Sequence, residues 1–229
     1  MMIRWSLTVL LIFIAFAVCA GEVLDRTVAT VNGHVILLSD WQDELRFECL
    51  SSGRKLGDIT AEEKEAALDR LIDQQLLREQ MRTTDLKAAT PQQIEKQVQG
   101  LKDSVLRDNA SQSWEKILST YQLSPKFIEE RVATELEQLQ FIDARFRPSI
   151  QVSAAEIEQY YKEELVPKLP PSDPVELSDV TPKIREILVQ KKMDQMLSSW
   201  LETLHSQAQI RILPAVPDSE RNSSQVETQ

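Results

Sequence analysis

Residues 24–45 read LDRTVATVNGHVILLSDWQDEL, a hairpin that runs straight into a helix. Two segments rich in β-branched and aliphatic residues, 28–31 and 34–38, flank Asn32-Gly33. Such residues favour strands, and Asn-Gly between them is the strongest short-range signal for a two-residue turn, because both residues tolerate positive φ. Ser39 then offers a hydroxyl to the first turn of a helix, and Gln42, three residues on, completes a capping box. Apolar side chains fall on both faces of the hairpin, with Val31, Val35 and Leu37 on one and Val28, Ile36 and Leu38 on the other. A two-stranded ribbon of this kind is at best marginally stable in water. Something later in the chain must cover it.

One other segment of the mature chain reads as a strand: residues 209–213, where Ile210 and an apolar end alternate around Arg211. Everything between reads as helix. Only five glycines occur, among abundant Gln, Glu, Leu, Ala and Lys, a helical composition. The first helix covers 39–52, with Trp41, Leu45 and Cys49 four apart, and stops at Gly53. Thr60 and Glu63 form a capping box for a second helix with the stripe Leu68, Leu71, Ile72, Leu76 and Met81. Thr90-Pro91 opens a third, whose seam of Ile94, Val98, Leu101 and Val105 suits one partner helix. After a break at 108–113, Trp114, Ile117, Leu118 and Tyr121 mark a short helix. Ser124-Pro125 starts a long one carrying Phe127, Ile128, Val132, Leu136, Leu139, Ile142 and Phe146, ended near Pro148. Ser153 and Glu156 box in a helix with Ile157, Tyr160 and Tyr161.

Residues 162–179 hold Pro167, Pro170, Pro171 and Pro174, which predicts a stiff, extended connection. A long amphipathic helix follows over 180–206 through Ile184, Leu188, Leu197, Trp200, Leu201 and Leu204, with Pro182 tolerated in its first turn. The expected fold is mostly α with a small β-sheet: a multi-helix body whose N-terminal hairpin pairs with the C-terminal strand. Its segments are a signal peptide at 1–20, a helical module at 21–161, the connection at 162–179, a closing helix and strand at 180–213, and a disordered tail at 214–229.

The first twenty residues carry a basic start (Arg4), an apolar run and Val18-Cys19-Ala20, the pattern of a secretory signal cut after Ala20. Lipidation at Cys19 ranks second, because Val18 is bulky for that position. An uncleaved membrane anchor is the third reading, and it would be the chain's one contact with a membrane. Removing Arg4 with the signal takes the formal charge from −10 to −11. That acidity argues against nucleic acid, whose phosphates need clustered Lys and Arg. Cys49 is then the sole cysteine and can form no intramolecular disulfide; it reads as a small buried hydrophobe on the first helix.

No catalytic or metal constellation stands out. The two histidines, His34 and His205, read as an edge-strand polar residue and a helix C-terminal cation. No CxxC, HExxH, GxSxG, GxxxxGK[ST] or GxGxxG occurs, so no metal, cofactor or small-molecule substrate is expected. Aromatic residues are the informative remainder. Trp41, Phe146 and Trp200 fall on the main apolar stripes and read as core. Trp114, Tyr121, Phe127, Tyr160 and Tyr161 lie at helix starts or beside breaks. These five are the candidates for a partly open surface that holds an extended peptide, since Tyr and Trp offer large contact area at small entropy cost. Core packing is the competing reading for each.

The opening stretch resembles the start of the SurA family of periplasmic chaperones, whose N-terminal module begins LDRxVAxVNxxVILxSD. The likeness continues more loosely through LSPKFIEERVATELEQLQFI and VSAAEIEQYY, and the ending IREILVQKKMDQMLSSWLETLHSQAQIRIL is similar to the family's closing helix and strand. The resemblance implies an ATP-independent periplasmic holdase for unfolded or extended exported and outer-membrane polypeptides. SurA-like and PrsA-like proteins usually insert one or two parvulin domains before the closing helix. Here the 18-residue connection stands in that place, and no parvulin active-site pattern is present. The expectation is a chaperone core that is not an enzyme. The alternatives are a parvulin-type peptidyl-prolyl isomerase and a dedicated assembly factor for one envelope protein.

Overall fold

A computed structural model describes residues 25–109, 111–168 and 175–214. The expected signal peptide, Pro170, Pro171 and Pro174 of the connection, and the tail beyond Pro214 lie outside the described residues. The element order is β1 (Thr27–Val31), β2 (His34–Leu37), α1 (Leu38–Ser52), α2 (Ala61–Met81), α3 (Pro91–Asp108), α4 (Trp114–Tyr121), α5 (Pro125–Phe146), α6 (Ala154–Tyr160), α7 (Leu177–Gln207) and β3 (Ile210–Ile212). The fold is mostly α with one small antiparallel sheet, as the sequence patterns predict.

The helix starts follow their caps. Thr60, Thr90, Ser113, Ser124 and Ser153 each accept a hydrogen bond from the backbone N–H three residues on, and each such cap contributes roughly 1 kcal/mol. The start of α1 departs from expectation. The helix begins at Leu38, directly off β2, so no extended residue remains at position 39 to act as a cap. The N–H of Leu37 donates to the Asp40 carboxylate at 3.0 Å. Ser39 instead turns its hydroxyl and its N–H to Asp25, and these bonds, the hydroxyl's first, hold the Asp25 carboxyl below its usual range. At the other end of α1, Gly53 at φ 67° takes the left-handed cap position.

The hairpin turns at Asn32 and Gly33, with φ of 50° and 87°. The sheet order is β2-β1-β3, so the C-terminal strand pairs with the first strand as expected and makes it the central one. Asn32 secures the junction. Its side chain donates to Glu79 on α2 at 2.6 Å and accepts from the Gln209 N–H at 2.8 Å, while its own N–H reaches the Gln209 carbonyl at 3.0 Å.

The hairpin is not covered on both faces. The register passes from Thr27↔Leu37 to Ala29↔Ile36, leaving Val28 as an extra residue in β1. That irregularity lets Val28, Ala29 and Val31 all be buried, joined by Ile36. They pack on Leu68, Ile72 and Leu76 of α2 and Leu204 of α7. The opposite side stays open at Val35, 42 % exposed. β3 extends the sheet rather than roofing it; the helices α2 and α7 are the roof.

A second cluster lies between α1, α3, α4 and α5, built on Phe47, Leu50, Val105, Ile117, Ile128 and Val132. The seam of α3 closes against it as predicted, through Ile94, Val98 and Leu101. Cys49 is buried on α1, and burial pushes its thiol pKa up. α7 spans 31 residues, about 46 Å at 1.5 Å per residue, and packs along α2, α5 and α6. On α5, Leu139 is 54 % exposed, whereas Phe141 is buried against Trp200 at 5.9 Å between ring centres. Phe146 is core, while Trp200 is half-buried with the Arg145 guanidinium 4.2 Å over its ring. Trp41 is also half-buried, its Nε1 donating to the Lys64 carbonyl at 2.8 Å. His34 is exposed, and His205 Nε2 lies 2.5 Å from Asp73 on α2.

The described start of the connection, residues 162–168, is less extended than expected. The chain leaves α6 through a π-helical turn over Tyr161–Leu165 and a 3-10 turn over Val166–Lys168. Pro167 fits there because its fixed φ suits helical turns. The Tyr161 hydroxyl then donates to the Val175 carbonyl at 2.6 Å, bringing the two ends of the connection together. α7 begins three residues before position 180, so Pro182 sits in its second turn rather than its first.

Candidate functional site

The five candidate aromatics do not form one surface. Trp114 is buried in the α1/α3/α4/α5 cluster, because as the first residue of an amphipathic helix it turns inward with Ile117 and Leu118. Tyr121 packs on the same cluster, half-buried, and its hydroxyl donates to the Arg54 carbonyl at 3.0 Å. Phe127 stands edge-to-face on Phe47, ring centres 6.3 Å apart. Tyr160 and Tyr161 belong to α6 and its extension; Tyr160 lines a small cleft of about 300 Å³ beside Leu188 and Lys191 of α7.

Phe127 lines a larger opening. Two clefts lie side by side between the helices. The first, about 840 Å³, has Phe47, Leu101 and Val132 on its walls and Glu48, Arg70 and Glu135 around them. The second, about 510 Å³, is walled by all four residues of β2, by α2 through Leu71 and Gln74, and by α5 through Phe127 and Thr134. Glu44 and Arg131 line both.

That pair is the partition. Glu44 on α1 is 3 % exposed and Arg131 on α5 is 15 % exposed. Arg131 donates Nε to Glu44 Oε2 at 2.9 Å and a terminal nitrogen to Oε1 at 3.0 Å, a bidentate geometry. Gln74 of α2 adds a third bond to Glu44 at 3.4 Å. The Arg131 guanidinium also lies 5.0 Å over the Phe47 ring. Burial works against its charge, but the bonds to Glu44 and the nearby carboxylates outweigh that and hold its pKa above the usual value. A buried ion pair of this kind crosslinks α1, α2 and α5 and keeps the two clefts apart.

The remaining arginines of the first cleft are also paired, Arg70 with Glu48 and Arg54 with Glu63. The walls therefore offer apolar contact and hydrogen-bonding groups with charge locally balanced. Gly100 marks the mouth of the first cleft from the middle of α3, and a Cβ built there meets nothing within 4 Å. Glycine inside a helix is less stable than alanine by about 0.5–1 kcal/mol. Gly100→Ala is accordingly expected to stabilise the fold by that amount, read from the urea midpoint, while narrowing the cleft slightly.

Sequence reasoning missed Glu44, Phe47 and Arg131. The available signal was a charged residue set between stripe positions, Glu44 beside Leu45 and Arg131 between Ile128 and Val132.

At the far end of the molecule, α6 is braced to α7. Glu156 meets Lys192 at 2.7 Å and also accepts from the Ser153 N–H and hydroxyl, both at 2.9 Å. These contacts, Lys192 first, bring its pKa down to about 2 from an ordinary 4.5. A depressed carboxyl stabilises the fold above its unfolded pKa and loses that contribution as pH falls through its folded value. Glu156 should therefore remain ionised at pH 3, where ordinary glutamates have largely protonated, and should titrate nearer 4.5 in Lys192→Ala. Carboxyl carbon shifts by NMR report both.

Residues 2–142 match the family model of the SurA-like N-terminal domain. The chain belongs to this SurA-like chaperone family. No curated protein matches it. No described helix is long and apolar enough to cross a membrane.

Proposed function

We propose that this protein is an ATP-independent periplasmic holdase that keeps unfolded exported polypeptides, including outer-membrane proteins, from aggregating, and that it does not catalyse prolyl isomerisation. The observation that carries this reading is the pair of open clefts on the SurA-like module, with Phe47, Leu101, Val132 and Phe127 on their walls and charge balanced around the first. Such surfaces contact apolar segments of varied sequence without requiring one side chain, and weak, sequence-tolerant binding needs no nucleotide. The reading without isomerase activity is supported by the short segment at the place where a parvulin domain would be inserted. Only residues 161–176 separate α6 from α7, and segments below about 40 residues rarely form a domain of their own.

The test is dilution of a urea-denatured outer-membrane protein into buffer with and without residues 21–229. Light scattering should fall at a few-fold molar excess; scattering unchanged by the protein overturns the holdase reading. In a proline-limited refolding assay the rate should stay at the uncatalysed tens of seconds, and marked acceleration would instead make the protein an isomerase. Co-purification of one stoichiometric partner, with no effect on other clients, would favour a dedicated assembly factor.

A further inference from the structure

We propose that the second cleft takes its client as an added β-strand, paired through the backbone of Val35 on the free edge of β2. The inference rests on the holdase reading and specifies how one of its two clefts binds. β2 lies at the edge of the sheet, on the far side of β1 from β3. In an antiparallel hairpin with a two-residue turn, the pair closing the turn exchanges hydrogen bonds and the next pair directs its N–H and C=O outward. Val31–His34 closes the turn, so Thr30–Val35 is the outward pair. On the β1 side, Thr30 faces Arg211 of β3. On the β2 side, no strand of the described residues lies beyond Val35. Its neighbours are engaged, Ile36 toward β1 and the Leu37 N–H on Asp40.

The second cleft lies against this strand. All four residues of β2 line it, α2 forms a second wall, and Phe127 and Thr134 of α5 stand across from the strand. A chain entering there can continue the sheet at the usual spacing of about 4.8 Å, with α5 closing the far side. Because α5 lines the same cleft, the occupant that fits is a single extended segment rather than the sheet of a second copy.

The two edges of the sheet also differ in how they are protected. β3 is three residues long, carries Arg211 at its centre and runs into Pro214, all devices that discourage edge pairing. β2 is HVIL, with neither lysine nor proline, and Val35 is open. The ligand chemistry that fits is an extended polypeptide recognised by its main chain, with apolar or β-branched side chains set against Val35 and Phe127. This is the conformation that strands of unfolded β-rich proteins readily adopt.

The probe is a fluorescein-labelled peptide of alternating valine and threonine, kept soluble by terminal lysines, alongside the same peptide N-methylated at every residue, so that both of its edges are blocked. Val35→Pro should keep the wild-type urea midpoint and weaken binding of the unmodified peptide about fivefold, the loss of the one backbone hydrogen bond that the Val35 N–H donates. The N-methylated peptide should bind wild type about tenfold more weakly than its parent and show no further loss with Val35→Pro. Saturation with the parent peptide should slow hydrogen exchange at the Val35 amide. Equal binding of the two peptides to wild type overturns strand pairing, and this comparison holds even if the variant misfolds. Should wild type still suppress scattering in that case, the holdase reading stands and only the pairing is lost. If wild type neither suppresses scattering nor binds peptide, both readings fall. A change in sedimentation between wild type and Val35→Pro without peptide would assign the edge to self-association and overturn the proposal.

Discussion

Replacing Arg131 with alanine should cost about 3 kcal/mol of folding stability, the lower end of the range for breaking a buried ion pair from one side. The lower end applies because Arg131 keeps 15 % of its side-chain surface in water, whereas Glu44 keeps 3 %. The substitution removes two charge-assisted bonds and leaves the Glu44 carboxylate with Gln74 alone, at 3.4 Å. It also strips the guanidinium from the Phe47 ring. Glu44→Leu combined with Arg131→Met should be far milder, near neutral, because no uncompensated charge then remains inside. Urea midpoints of the single and double variants make the comparison. A single variant as stable as the double would mean that water reaches Glu44 and the partition is not a buried pair. The same double variant, which retains bulk at the partition, should preserve client binding if the clefts act separately.

Thr30→Pro is expected to cost more than 3 kcal/mol, while Val35→Pro on the facing position leaves stability almost unchanged. The contrast follows from the strand order. Thr30 sits in the central strand, between Val35 on one side and Arg211 on the other. Proline there removes a ladder donor from the middle of a sheet, where it is essentially not tolerated. Val35 lies on an edge strand with its N–H directed outward, a position that proline can occupy. Circular dichroism during urea unfolding separates the two outcomes. Equal tolerance at both positions would refute the pairing of β1 with the C-terminal strand, and with it the closure of the chain's two ends on each other.

The elements themselves were readable because their signals are local. Asn32-Gly33, the boxes at Thr60 and Ser153, and the Thr-Pro and Ser-Pro starts of α3 and α5 each fix a boundary within a few residues, and all lie where the chain forms them. The pairing of residues 209–213 with the hairpin was also legible, as the meeting of the two strand-like segments of the mature chain. What local pattern could not supply was depth. Trp114 and Phe127 both open helices as apolar residues, yet one is core and the other lines a cleft. Ser39 has the chemistry of a cap, but β2 enters α1 without a spare residue and Asp25 claims the hydroxyl. The residue at the extra position in β1, Val28, breaks the strict alternation that gave the hairpin two apolar faces. Glu44 and Arg131 are 87 residues apart, and their partnership is a property of the packing of α1 against α5 that no single helix displays. The resemblance to the SurA family was carried by the hairpin, the same feature that the family match includes within residues 2–142.

The central claim is that unfolded polypeptide lies in the clefts on either side of the Glu44–Arg131 pair. Photo-crosslinking tests it directly, with a photoreactive side chain placed at Gly100 in the first cleft, at Val35 in the second, or at Ile187, which is 38 % exposed on α7 and lines neither. With a denatured outer-membrane protein as client, crosslinks are predicted at Gly100 and Val35 and not at Ile187. Crosslinking at Ile187 with none at the two cleft positions would contradict the account.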